Sequence, residues 1–104
     1  MPRIEDLERL LQADPNDAFT LYAIANEHAK AGRTDDSCAF YDRCLAADPT
    51  YCYAYYHKAK ALQAGGRVPE AVKCVEMGLK VARKLNDFKA GSELDALLMD
   101  LENG

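Results

Sequence analysis

A seven-residue frame occurs twice in this chain. Arg9-Leu10-Leu11-Gln12-Ala13-Asp14-Pro15 returns as Arg43-Cys44-Leu45-Ala46-Ala47-Asp48-Pro49, sharing R-x-L-x-A-D-P at a shift of 34 residues. The same shift lays Tyr22 on Tyr56, Ala25 on Ala59, Gly32 on Gly66, Arg33 on Arg67 and Leu45 on Leu79. It also pairs Phe19 with Tyr53, Leu21 with Tyr55 and Asp36 with Glu70, which are conservative matches. Several of these matches fall on positions that are hard to substitute: a proline stop, a glycine, a small residue. One period through such positions marks a repeat architecture, in which each unit cannot bury its apolar face alone and must stack on its neighbours.

The segments between the breaks read as helices. Ile4, Leu7, Leu10 and Leu11 make a narrow apolar stripe. Asp14-Pro15-Asn16-Asp17 stops that helix and offers Asn16 or Asp17 as the cap of the next. The second helix spans Phe19 to Ala31, with Gly32 expected in a left-handed conformation just past its end. Thr34 is the expected cap of a third helix from Asp35 to Ala47, after which Asp48-Pro49-Thr50 repeats the stop-and-cap device. A fourth helix follows from about Tyr51 to Ala64, ended by Gly65-Gly66. Pro69 suits the first turn of a fifth helix that runs to about Leu85, because its missing N–H costs nothing there. A last helix near Phe88–Glu102 carries Leu94, Leu97, Leu98 and Leu101 at the spacing of a packed face. Tyr51, Tyr53 and Tyr55 alternate like a strand, but Tyr56, Ala59 and Leu62 continue at helical spacing. The expected architecture is all-α: about six antiparallel helices joined by short turns.

At these residues the chain resembles the tetratricopeptide repeat family, whose period and residue pattern it shares. The first full repeat matches at Leu21, Ile24, Ala25, Gly32, Tyr41 and Pro49. The second matches at Tyr55, Ala59, Leu62, Gly66, Ala71, Val75 and Leu79. Ser37 stands where the family usually has alanine, His28 where it often has tyrosine, and Lys58 where it has leucine. Arg83 replaces the closing proline, so the fifth helix is expected to run past the usual stop. The resemblance implies one domain over 1–104, a right-handed superhelix of helix hairpins. Within it, 1–16 is an N-terminal half-repeat, 18–51 and 52–85 are repeats, and 86–104 is a capping helix.

In that family the first helix of each repeat lines a concave groove where peptides lie. The resemblance therefore implies partner-binding positions at Phe19, Tyr22, Ala23, Asn26 and Lys30, and at Tyr53, Tyr56, His57, Lys60 and Gln63. The tyrosines would supply rigid contact area, and Asn26, His57, Lys60 and Gln63 would orient a ligand by hydrogen bonds and charge. Some members clamp a C-terminal carboxylate with asparagines and basic residues over three repeats. Here Asn26 takes the first asparagine position, but Tyr22 stands for the clamp lysine one turn before it and His57 for the second asparagine, with no third repeat to supply the remaining basic pair.

Charge refines the partner. The formal net charge is -4, which argues against nucleic acid. Residues 52–85 carry seven basic against two acidic side chains, a balance of +5, whereas 86–104 carry five acidic side chains against Lys89, a balance of -4. This asymmetry would steer an acidic segment toward Lys60 and His57, or would pair the basic fifth helix with the acidic last one. An alternative to peptide binding is a homodimer through the Leu94, Leu97, Leu98 and Leu101 face, because two repeats are fewer than a solenoid usually needs.

Catalysis, cofactors and metals are not expected. His28 and His57 lie on different helices, no triad spacing occurs, and Gly65-Gly66 lacks a phosphate-loop frame. Cys38, Cys44, Cys52 and Cys74 have none of the short spacings of zinc or redox sites, and read as packed, reduced thiols. No apolar stretch approaches the roughly 20 residues of a membrane span, and Met1–Asp6 shows no signal core, so a cytoplasmic location is expected.

Overall fold

The computed structural model describes residues 4–104, so residues 1–3 of the expected N-terminal half-repeat lie outside the described residues. Six helices follow one another: α1 (Ile4–Ala13), α2 (Ala18–Lys30), α3 (Thr34–Ala47), α4 (Cys52–Ala64), α5 (Val68–Leu85) and α6 (Phe88–Asn103). The described residues contain no strand. The tightest neighbours are the hairpins α2–α3 and α4–α5, and α6 packs on α5 and α4.

The helix ends explain the repeat. Gly32 has φ +76° and Gly66 has φ +78°, both left-handed and cheap only for glycine. In each case the next residue reaches back into the last turn: Arg33 N to His28 O at 3.0 Å and Arg67 N to Leu62 O at 2.8 Å. These bonds satisfy carbonyls that a helix end otherwise leaves open. At the end of α5, Asn86 takes the same role with φ 55°, and Asp87 N bonds Ala82 O at 2.9 Å. Without the closing proline, α5 extends over 18 residues.

The helix starts are less uniform. Asp17, rather than Asn16, caps α2; its carboxylate accepts from Thr20 N at 3.2 Å and from Thr20 Oγ1. Thr34 does not cap α3. It is already the first helical residue, and Arg33 precedes it without a side-chain cap. The left-handed Gly32 turns the chain one residue sooner than the threonine would require. Freed from capping, the Thr34 side chain packs against the C-terminal end of α4: a Cβ added to Gly65 would lie 2.8 Å from Thr34 Oγ1. Nor does Thr50 cap α4, which begins after Tyr51 without a side-chain cap. Thr50 instead donates to Asp48 Oδ1 from its N–H at 3.0 Å and its hydroxyl at 2.6 Å. Those bonds hold the Asp48 carboxyl below its ordinary range.

Two buried clusters fill the interior. One joins Leu21, Ala25, Tyr41, Cys44, Ala54 and Ala61. The other runs from Cys38 and Cys52 through Ala59, Leu62, Cys74, Val75 and Leu79 to Leu94, Leu97 and Leu101. Close approach depends on small residues: a Cβ on Gly78 would lie 2.7 Å from the Tyr55 Cβ, so the Tyr55 side chain of α4 rests directly on the bare α5 backbone at that point. All four cysteines are buried and unpaired. Burial pushes the thiols of Cys44 and Cys74 up to about 11, so they stay protonated.

The α6 leucines correct one expectation. Leu94, Leu97 and Leu101 are buried against the chain's own α4 and α5, with Leu98 packed beside them, so this stripe is not open to a second copy. The basic α5 and acidic α6 are not laced together either: among the described residues, no ion pair joins them. Arg67 instead ties α3 to the second hairpin through Asp35 at 2.5 Å and Glu70 at 2.8 Å. Lys58, where a leucine was expected, reaches back to Asp42 at 2.6 Å. No helix among the described residues is long and apolar enough to cross a membrane.

Candidate functional site

An open groove of about 510 Å³ lies between α2 and α4. Asn26, Ala29 and Lys30 line it from α2, and Tyr56, His57, Lys60, Ala61 and Ala64 line it from α4. Spacings of three and four put each set on one helical face. Tyr41 of α3 forms the floor and donates a hydrogen bond to Asn26 Oδ1. The alanines keep the middle of the groove open, while the polar groups stand at its floor and rim.

An aromatic cluster holds the α4 wall. The half-buried Tyr22 ring packs 5.0 Å from Tyr51, 5.5 Å from His57 and 6.2 Å from Tyr41, measured between centroids. His57 meets Tyr22 and Tyr56 edge-on, the latter at 5.2 Å. The Lys60 ammonium stands 5.7 Å over the Tyr56 ring, a cation–π distance. Burial raises the Tyr22 hydroxyl above its ordinary value, with the Asn26 contact pulling the other way, and pushes Tyr51 up to about 12. These hydroxyls therefore act as neutral hydrogen-bonding groups.

Burial, aided by the Lys60 charge and opposed by Glu93, lowers the His57 pKa below its ordinary 6.5. The unfolded chain then takes up the His57 proton first as pH falls. The stability attached to a neutral His57 is full above pH 6.5 and declines below it, toward the folded-state value. Thermal melts at pH 7.5 and 5.5 are expected to differ less for His57→Gln than for the parent. An unchanged difference would mean that His57 is as solvated folded as unfolded.

The remaining sequence-derived positions fall outside the groove lining. Tyr22 supports the α4 wall from beneath. Tyr53 stands edge-on to Tyr56 at 6.4 Å, and burial, reinforced by the nearby Glu93 carboxylate of α6, raises its hydroxyl above the ordinary value. Gln63 donates to Asp100 Oδ2 of α6 at 3.0 Å. Phe19 is 64% exposed near the start of α2. His28 lies on the far side of the hairpin, stacked on Phe40 at 5.4 Å and accepting from Arg33 Nε at 2.8 Å. Tyr41, Ala29, Ala61 and Ala64 line the groove in addition to the positions expected from the sequence. The alanines could have been found, since they sit three or four residues from Asn26, His57 and Lys60. Tyr41 matched a packing position, and nothing local shows that its hydroxyl reaches Asn26. Among the described residues, no group of three or more His, Cys, Asp or Glu is placed to hold a metal ion.

Two tetratricopeptide repeat family models match, over residues 20–51 and 40–73. A tetratricopeptide repeat domain protein of Salinibacter ruber is 32% identical, with 84% of this chain and 97% of that one covered and a TM-score of 0.73. A protein of Bordetella parapertussis is 25% identical, covering 99% of this chain and 90% of its own at a TM-score of 0.85. The TPR2B domain of yeast Sti1, solved as a complex with pHsp70, is 20% identical and superposes with a TM-score of 0.89 over 96% of this chain and 80% of that one. No curated protein matches the chain.

Proposed function

Because this chain belongs to the tetratricopeptide repeat family, we propose that it is a protein-interaction module whose α2–α4 groove takes an extended segment of a partner protein. One observation carries the reading: Asn26, Lys30, Tyr56, His57 and Lys60, drawn from helices 34 residues apart in register, line the same open groove. The groove offers apolar width at its alanines, a ring face at Tyr56, and donors at Lys60 and His57, the mixture that recognises a peptide backbone with its side chains. The solved Sti1 domain forms its complex with pHsp70 on the same fold; what this chain binds follows from its own groove.

In this reading 18–51 and 52–85 are the repeats, 1–16 is a half-repeat and 86–104 caps the stack. The groove walls are packed helices tied by Tyr41–Asn26 and the Tyr22 cluster, so little ordering cost accompanies binding. Tyr22 and Tyr53 act by supporting Tyr56 and His57. Gln63 acts at the α6 edge, and Phe19 extends the contact area at the start of α2.

Affinity capture from a lysate of cells that express the protein tests the proposal. The parent is compared with Tyr56→Ala/Lys60→Glu, with circular dichroism melts verifying that both fold. A partner held by the parent and lost by the variant is the expected result. Equal retention by both would move the interface off the groove.

A further inference from the structure

The concave face separates its charges. In the groove the charged lining residues are Lys30 and Lys60. Lys30 is paired with Glu27 at 3.6 Å, which leaves Lys60, poised over Tyr56, as the main source of positive potential. Across α4, the acidic α6 brings two carboxylates to the same face. Asp100 holds Gln63 at 3.0 Å, and Glu93 lies within electrostatic reach of Tyr53, whose ring meets Tyr56 edge-on. Glu93 and Asp100 are seven residues apart on α6, two turns along one face. His57 lies within electrostatic reach of both Lys60 and Glu93. Opposite charges therefore flank α4, with Lys60 on the groove side and Glu93 and Asp100 on α6.

A uniformly acidic ligand that fills the groove and crosses α4 would run into Glu93 and Asp100, and a uniformly basic one would meet Lys60. Exposed like charges at a contact select against a partner more strongly than exposed opposite charges hold one.

Building on the groove reading above, we propose that the partner segment is charge-segregated: its Asp or Glu side chains lie by Lys60 in the α2–α4 groove, and its Lys or Arg side chains lie against Glu93 and Asp100 on α6. One to two interhelix spacings of about 8–10 Å separate the two sites. An extended chain rising about 3.3 Å per residue covers that distance in roughly three to six residues. The segment between the two charged blocks crosses Tyr53 and Tyr56, where apolar or small side chains gain contact area.

Selection of a phage-displayed library of random 12-residue peptides against the whole protein tests this. The enriched peptides are then titrated by fluorescence polarisation against the parent, Tyr56→Ala, Lys60→Glu and Glu93→Lys/Asp100→Lys. The expected peptides carry an acidic and a basic block separated by roughly three to six residues. They lose binding to Tyr56→Ala and weaken about tenfold with Lys60→Glu, where attraction becomes repulsion. Interchanging the two blocks within such a peptide abolishes binding, and Glu93→Lys/Asp100→Lys reverses the preference for the basic block. Peptides that depend on Tyr56 and Lys60 but show no separated blocks would overturn the charge rule and leave the groove in place. Peptides indifferent to Tyr56→Ala and Lys60→Glu, or no enrichment at all, would overturn both.

Discussion

Leu94→Ala is expected to lower the thermal midpoint by roughly 10–20 °C, from a loss of about 2–5 kcal/mol at a core leucine. Leu94 is 1% exposed. Its Cδ1 sits over the bare backbone of Gly78, 3.2 Å from where a Cβ would stand, so it fills the space that the glycine leaves between α5 and α6. Truncation leaves a cavity in the same cluster as Leu79, Ala82, Ala90 and Leu97, and helix backbones on both sides limit its collapse. A domain of this size has on the order of 5–15 kcal/mol in total, so the loss is a large share of its stability. Met99→Ala on the same helix is the control, because Met99 is exposed and should move the midpoint little. If the two variants melted alike, α6 would not be docked through its leucine face.

Ala59→Leu is the second large effect, a loss of about 1–3 kcal/mol by overpacking. Ala59 is 0% exposed, within the cluster that joins α4 to α5. It lies one turn beyond Tyr55, whose Cβ has no room for a methyl group on Gly78 and whose carbonyl accepts the Cys74 thiol at 3.2 Å. The two helices thus have no slack on this face, and three added carbons must push them apart. Alanine is already the best helix former, so leucine brings no offsetting gain. Ala25→Leu, the same position one repeat earlier and equally buried, should cost a similar amount. Chemical denaturation of both variants reads the effect directly. A midpoint equal to the parent's in both would mean that the helices do not stack in this register. Because Tyr56 and Lys60 ride on α4, Ala59→Leu should also weaken groove ligands, while Met99→Ala should not.

Much of this protein was legible in its sequence because the informative features are local. The 34-residue period, the two left-handed glycines, the proline in the first turn of α5 and the leucine stripe of α6 each express a backbone or burial requirement met within a few residues. The helix starts were less readable. Whether Asn16 or Asp17 caps α2, and whether Thr34 caps α3 or packs on Gly65, turns on a one-residue difference in where the chain becomes helical.

The groove divides in the same way. The family resemblance implied that the first helix of each repeat contributes, and of the positions it implied, Asn26, Lys30, Tyr56, His57 and Lys60 line the groove. Only the tertiary structure decided that Tyr41 from the hairpin's second helix forms the floor, and that Tyr22 turns beneath the wall. It alone drew Tyr53 and Gln63 to the α6 carboxylates and turned the α6 leucines inward rather than toward a second copy. Periodicity determines which face of a helix is apolar, but not which neighbour covers that face or which hydroxyl meets which amide across 15 residues of chain. Those outcomes depend on how closely the helices pack, and here the approach is set by the absent side chain of Gly78 and the small ones of Ala25 and Ala59.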